Sequence, residues 1–301
     1  MTSSAGIGLL KQRIESIPAS VRGIMLALIA ALSFTSLHTA IRYTSQELHV
    51  FEITFFRYLL SVPIILPLLL RSRFAILKTN CFHLHALRCL FLLCSVAGLF
   101  TALSISPLAQ VTSLTFLAPV LGAAFAILFL REYAGFFRWF AVIGGFIGTL
   151  VVLRPGVIEI ELGPILAIFG ATMWALSILI IKVMSKTESS TTQVTYLTLL
   201  VTPVSMVAAL FFWQWPNLEQ WLLLFFIAGV ATLGQFAYTQ SFTLADTTVL
   251  MPLDFTRMVW ATLFGYAFFG ELPDLWTWVG GALIFSSAAM VTITEARRKP
   301  A

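Results

Sequence analysis

Three charged side chains sit inside long apolar stretches of this chain: Arg57, Asp254 and Arg257. A charge in hydrocarbon is costly, so such residues face a cavity or a partner. Arg57 stands about six residues into its stretch, roughly 9 Å deep at 1.5 Å per residue. Glu52, five positions earlier, lies about 140° around a helix and is a poor partner. A guanidinium offers a planar fork of donors, suited to clamping a carboxylate or phosphate. The alternative is a structural arginine held by backbone carbonyls or snorkelling outward. Asp254 and Arg257 are three apart and share one helix face. Pro252 precedes them and frees the carbonyl four residues earlier, which favours a bend. Asp254 suits a cationic substrate group or a proton, and Arg257 an anionic group. Alternatively the two neutralise each other.

A second tier is polar or aromatic and reads as midspan: Trp174, Gln193, Tyr196, Gln235, Tyr238 and Gln240. Ligand pockets combine aromatic walls with a few polar groups, although each of these residues singly suits ordinary helix packing as well. Glu132 and Glu271 fall in short turns and read as structural carboxylates that accept bonds from the following helix N-termini. The run Cys81, His83 and His85 with Cys89 resembles a ligand cluster, but it has no second cluster and no zinc-finger spacing, so no metal is expected. His38 reads as an interfacial or packed histidine. There is no phosphate-binding GxxxxGK[ST], no HExxH and no GxSxG. Neither an ATP-driven pump in one chain nor an enzyme is expected, and no cofactor.

The elements that must carry these residues follow from composition. The 301 residues are 59% hydrophobic and only 10% charged, with mean hydropathy +0.96. A soluble domain has about 25% charged residues, so soluble, disordered and nucleic-acid-binding classes are excluded. A membrane helix needs about 20 mostly apolar residues. Ten such spans are predicted at 23–41, 51–70, 87–106, 108–130, 136–153, 162–181, 191–212, 221–243, 246–269 and 275–293. With both termini on one side, fourteen basic residues share that side. They are Lys11, Arg13, Arg22, Arg71, Arg73, Lys78, Arg88, Arg131, Arg138, Lys182, Lys186, Arg297, Arg298 and Lys299. Two, Arg42 and Arg154, lie opposite. The positive-inside rule then places both termini in the cytoplasm, with the chain in a bacterial-type inner membrane.

The chain also repeats itself. Gly23, Leu26, Ala27, Ala31, Phe34 and Arg42 stand opposite Gly163, Leu166, Ala167, Ala171, Trp174 and Lys182, and Pro63 opposite Pro203, all 140 positions on. Glu132 and Trp139 stand opposite Glu271 and Trp278 at 139. Five spans per half is an odd number, so the second half is inverted, as in many secondary transporters with a midplane site between repeats. The expected fold class is an all-α polytopic membrane protein of ten transmembrane helices in two inverted five-helix repeats. Its parts are an N-terminal tail at 1–22, repeats at 23–153 and 162–293, and a C-terminal tail at 294–301. Small residues four apart, and Gly144 with Gly148, predict close helix seams.

Several pieces together resemble the drug/metabolite transporter superfamily, and within it the EamA family, over nearly the whole chain. They are Phe56-Arg57, Leu117-Ala118-Pro119-Val120 followed by Arg131-Glu132, and Phe269-Gly270-Glu271. The stretch from Pro252 to Arg257 departs from the common pattern, in which a proline stands near Met258. It is similar to the subgroup holding vitamin and S-adenosylmethionine importers. The resemblance implies alternating-access transport of a small polar organic metabolite: amino-acid-like, a flavin or other vitamin, S-adenosylmethionine-like, or a metal chelator. Direction stays open. The expected partners are a small-molecule substrate, the lipid bilayer and a second copy in a homodimer, with no nucleic acid. The alternatives are a broad-specificity drug or cation exporter and a non-transporting membrane subunit or sensor.

Overall fold

In a bilayer no water satisfies an exposed peptide group, so a spanning chain must close its hydrogen bonds within helices or a closed barrel. A computed structural model shows the first solution. It describes residues 18–71, 77–79, 81–130, 136–154, 161–184, 187–188, 190–244, 253 and 256–298. The helices are α1 (Ala19–Thr44), α2 (Val50–Leu59), α3 (Val62–Arg71), α4 (Phe82–Ile105), α5 (Leu108–Thr115) and α6 (Leu117–Leu130). They continue as α7 (Phe136–Leu153), α8 (Leu162–Met184), α9 (Ser190–Leu210), α10 (Leu218–Leu244), α11 (Thr256–Phe269) and α12 (Leu275–Arg298). Span two is α2 with α3, and span four is α5 with α6. Every other span corresponds to one helix among the described residues, with span nine described as a helix from Thr256 to Phe269.

The burial pattern is that of a protein in lipid. Phe140, Ile143, Phe146 and Ile147 of span five point outward, while Thr35, Glu52, Thr54, Ser177 and Thr195 lie inside. Many interior hydroxyls close on their own helix four residues back, as Thr35 does on the Ala31 carbonyl at 2.9 Å and Thr54 on Val50 at 2.8 Å.

Packing follows the repeat. Span one lies along span eight, and span three along span six. Exchanging the repeats turns one pair into the other. Spans two and seven, and spans five and ten, pack against their own images. The seams run through small residues. A Cβ on Gly148 would stand 2.8 Å from the Ile284 nitrogen, and one on Gly280 would stand 2.7 Å from the Gly148 carbonyl. The Ser95 hydroxyl of span three donates to the Gly170 carbonyl of span six at 2.8 Å. Lipid supplies no hydrophobic drive for helix association, so this close backbone approach supplies the packing.

Among the described residues, two spans predicted as continuous are broken. Span two stops at Leu59 and resumes at Val62. Pro63 lacks the amide proton that would bond the Leu59 carbonyl, and its ring crowds that carbonyl. The chain tightens over the break, with the Ser61 amide on Tyr58 at 3.1 Å and the Ser61 hydroxyl on the Arg57 carbonyl at 2.8 Å. In span seven Pro203 stands inside one unbroken helix. Pro67 is likewise tolerated inside α3, so the break falls only on the N-terminal side of Pro63. Span four breaks at Phe116, three residues before Pro119.

Candidate functional site

The breaks place chemistry at mid-depth. Because α2 ends at Leu59, Arg57 lies in its last turn, where unpaired carbonyls make the helix end negative and favour a cation. The Arg57 guanidinium lies over the rings of Tyr58, 5.0 Å from its centroid, and Phe100 of span three, 5.8 Å away. It makes no ion pair or hydrogen bond with a described residue. Glu52 is not its partner. Glu52 is fully buried in a capping box with His49, and it accepts the Gln214 amide at 2.7 Å.

Arg257 enters from the other repeat, at the start of α11. Its guanidinium lies over Phe34 of span one, at 5.7 Å, and over Phe116 at the break in span four, at 5.8 Å. Tyr238 of span eight meets Phe34 edge-on at 6.0 Å. His38, one turn beyond Phe34, is 7% exposed and within electrostatic range of both Arg57 and Arg257. Its Nδ1 is enclosed without a hydrogen-bond partner. Thus spans one, two, three, four, eight and nine contribute to two arginines backed by aromatic faces, with the His38 imidazole in electrostatic range of both.

The seam between spans one and nine continues to the end of the bundle that carries Arg42. Phe34, His38 and Arg42 stand four apart on one helix face. Arg42 Nη1 donates to Glu271 Oε2 at 2.6 Å, Arg42 Nη2 to Glu271 Oε1, and the guanidinium lies 4.4 Å from the Phe269 ring centroid. Glu271 Oε2 also accepts the Leu108 amide at 3.3 Å. Gly270, at φ +68°, reverses the chain there and aims Glu271 at Arg42. Further links at this end run between Arg154 and Asp274, and from Gln220 Nε2 to Glu47 at 2.8 Å. Together with the Glu52 bond, they tie the first repeat and the linker that follows it to the second repeat.

Several expectations are corrected. Glu271 does not cap the helix that follows it. Asp274 does, accepting the Thr277 amide at 2.9 Å and its hydroxyl at 2.6 Å. Partial burial acts to raise the Asp274 carboxyl, but the Thr277 hydroxyl and amide with the Arg154 guanidinium hold it below the usual carboxylate range. Gln193 and Tyr196 do not lie at midspan. They stand in the first two turns of α9, at the end of the bundle that carries Arg88. Arg88 donates to both the Gln193 carbonyl and its side-chain oxygen, and the Tyr196 hydroxyl donates to the Leu77 carbonyl at 2.7 Å. Tyr196 also stacks on His85 at 4.4 Å. Trp174 is 37% exposed half-way along span six and makes none of the ring contacts around the arginines. Gln235 is exposed one turn before Tyr238. Asp254 and Glu132 lie outside the described residues.

Sequence reasoning passed over Phe100 and Phe116, and it read His38 only as an interfacial or packed histidine. For Phe116 a signal existed, namely Pro119 three residues later. For His38 it was the four-residue spacing from Phe34.

The sequence and the fold match known proteins. The model of the EamA-like transporter family matches residues 21–154 and again 161–293, so the chain belongs to that family. It is 32% identical over 284 residues to a riboflavin transporter of Vibrio cholerae, covering 92% of this chain and 95% of that one. It is 28% identical over 273 residues to an S-adenosylmethionine uptake transporter of Rickettsia bellii, covering 91% and 94%. A solved crystal structure superposes with TM-score 0.63 at 17% identity, over 92% of this chain and 99% of its own, which shows the shared fold. The chain is thus a membrane-embedded small-metabolite transporter and not an enzyme.

Proposed function

We propose that the chain moves a flat, acceptor-rich metabolite of the riboflavin type across the inner membrane by alternating access. The observation that carries this reading is the pairing of Arg57 with Arg257, one from each repeat, each guanidinium lying on aromatic rings beside His38. Ring carbonyls and nitrogens of a flavin accept hydrogen bonds from such forks, and its plane suits the walls of Phe34, Phe100 and Phe116. Two fixed cations oppose a sulfonium, which sets S-adenosylmethionine second. Asp254, three residues before Arg257, is the residue that would serve that second substrate. Sequence charge supports placing the Arg42 end outward and the Arg88 end in the cytoplasm. The links at the Arg42 end then hold the outer face closed, and opening requires spans one and nine to part.

Binding titrations of riboflavin and of S-adenosylmethionine with the purified protein test the proposal. Riboflavin is expected to bind, and Arg57→Gln or Arg257→Gln to weaken it about tenfold or more, as loss of a charged hydrogen bond implies. Binding of S-adenosylmethionine with no binding of riboflavin, lost in Asp254→Asn and kept in Arg57→Gln, would overturn the assignment.

A further inference from the structure

A second buried arginine takes no part in the central site. Arg88 lies six residues into α4, about 9 Å from its first residue, and is 6% exposed. Its hydrogen bonds come from Nη1 alone, to the Gln193 carbonyl at 3.3 Å and Oε1 at 3.4 Å. These are long, and both acceptors are neutral. The other edge of the guanidinium, Nε with Nη2, bonds no described residue, and Nε is wholly enclosed. That edge is a two-point fork for oxyanions.

Its neighbours are as poorly satisfied. His85, one turn earlier on the same face, is 2% exposed, and neither ring nitrogen has a hydrogen-bond partner. The nearby carboxylate, Glu188, lies in range of His85 but accepts the Thr79 hydroxyl at 2.6 Å and makes no ion pair with Arg88. Tyr58 of span two is in range of Arg88 from the side of the central site. A buried cation without a counter-charge among the described residues, beside an imidazole whose nitrogens bond none of them, is among the costliest polar arrangements. Groups of this kind in a folded protein call for a missing ligand.

We propose that Arg88 holds a phosphate group at the cytoplasmic end of spans three and seven, its side chain and that of His85 turning outward so that the Nε–Nη2 edge binds two of its oxygens and His85 donates to a third. A tetrahedral oxyanion matches donors that approach from two residues at different angles. The phosphate is either that of an inner-leaflet lipid headgroup or free phosphate reaching the same mouth from the cytoplasm. The basic residues Arg71, Arg73 and Lys78 in the preceding segment raise the local concentration of either. The cluster His83, His85 and Cys81, superficially a metal motif, then serves an anion through His85.

The test is thermal unfolding of the purified full chain in an uncharged detergent. One arm compares sodium phosphate with sodium chloride at equal ionic strength. The other compares added phosphatidylglycerol with phosphatidylcholine. The unfolding midpoint is expected to rise with phosphate or with phosphatidylglycerol, and the rise to vanish in Arg88→Gln. A rise with phosphatidylglycerol alone assigns the lipid, and one with inorganic phosphate assigns the free anion. No rise in either arm, or the same rise in Arg88→Gln, overturns the proposal. Should Arg88→Gln not fold, Arg88→Lys keeps the charge but not the fork. The rise is then expected to fall by more than half, and an undiminished rise overturns the proposal equally.

Discussion

Replacing Glu271 by Gln removes the charge that joins span one to the end of span nine and leaves the backbone turn intact. The carboxylate meets Arg42 through both oxygens, and the two side chains are 12% and 27% exposed. A fully exposed pair contributes about 0–1 kcal/mol, and breaking a fully buried one costs about 3–5 kcal/mol. This pair lies between these limits, and charged hydrogen bonds contribute about 1.5–3 kcal/mol. The glutamine still accepts the Leu108 amide, so that bond drops out of the difference. The expected coupling between Arg42 and Glu271 is therefore about 2 kcal/mol, close to thirtyfold in an equilibrium constant. The assay is a double-mutant cycle of Arg42→Gln, Glu271→Gln and the double variant, read by equilibrium unfolding in detergent. In reconstituted protein the same variants are expected to raise the reactivity of a cysteine placed at Thr35, beneath the link, toward a reagent added from outside. A coupling below about 0.5 kcal/mol would refute the reasoning, since an exposed pair does as much.

Three further outcomes are expected. Gly280→Leu should force spans five and ten apart at the Gly148 crossing and destabilise the protein by about 1–3 kcal/mol. Gly122→Ala should not lower the unfolding midpoint and should raise it slightly, because a Cβ there meets no atom within 4 Å and alanine loses less backbone freedom in a helix. For Asp274 the folded carboxyl titrates below its ordinary value of 3.8, so its contribution to stability is present above that value and lost as pH falls through the folded one. Asp274→Asn should therefore be less stable than the native chain at pH 7, and the difference should shrink as pH falls below about 4. A difference that persisted at pH 3 would show that the carboxylate charge is not what Arg154 and Thr277 recognise.

Much of the fold was legible because hydrocarbon imposes few solutions. The lengths of the apolar runs set the spans, and the 140-residue offset set the repeats. Gly144 and Gly148 announced a seam that Gly280 and Ser287 complete. The site was legible in part. Arg57 and Arg257 stood out because charge is rare in such runs, and their pairing with aromatic faces followed from structure alone. Gln193 and Tyr196 misled because a polar residue in an apolar run carries no label for depth. Both belong to the first turns of α9, where they bind Arg88 and the Leu77 carbonyl. Glu271 was expected to serve the nearest helix, yet its strongest partner, Arg42, is 229 positions away in sequence.

By itself the sequence determined that this chain crosses a membrane repeatedly and that its halves are inverted copies, since both follow from local hydropathy and from counting spans. It also marked the charges too costly to be idle. Tertiary structure decided which of those charges meet. Whether His38 comes within range of two arginines, or whether Arg88 keeps a fork of its guanidinium unsatisfied, depends on how helices from both repeats are rotated and where two of them break. Those choices are set by side-chain contacts between residues far apart in the chain, and spacing along one helix does not encode them.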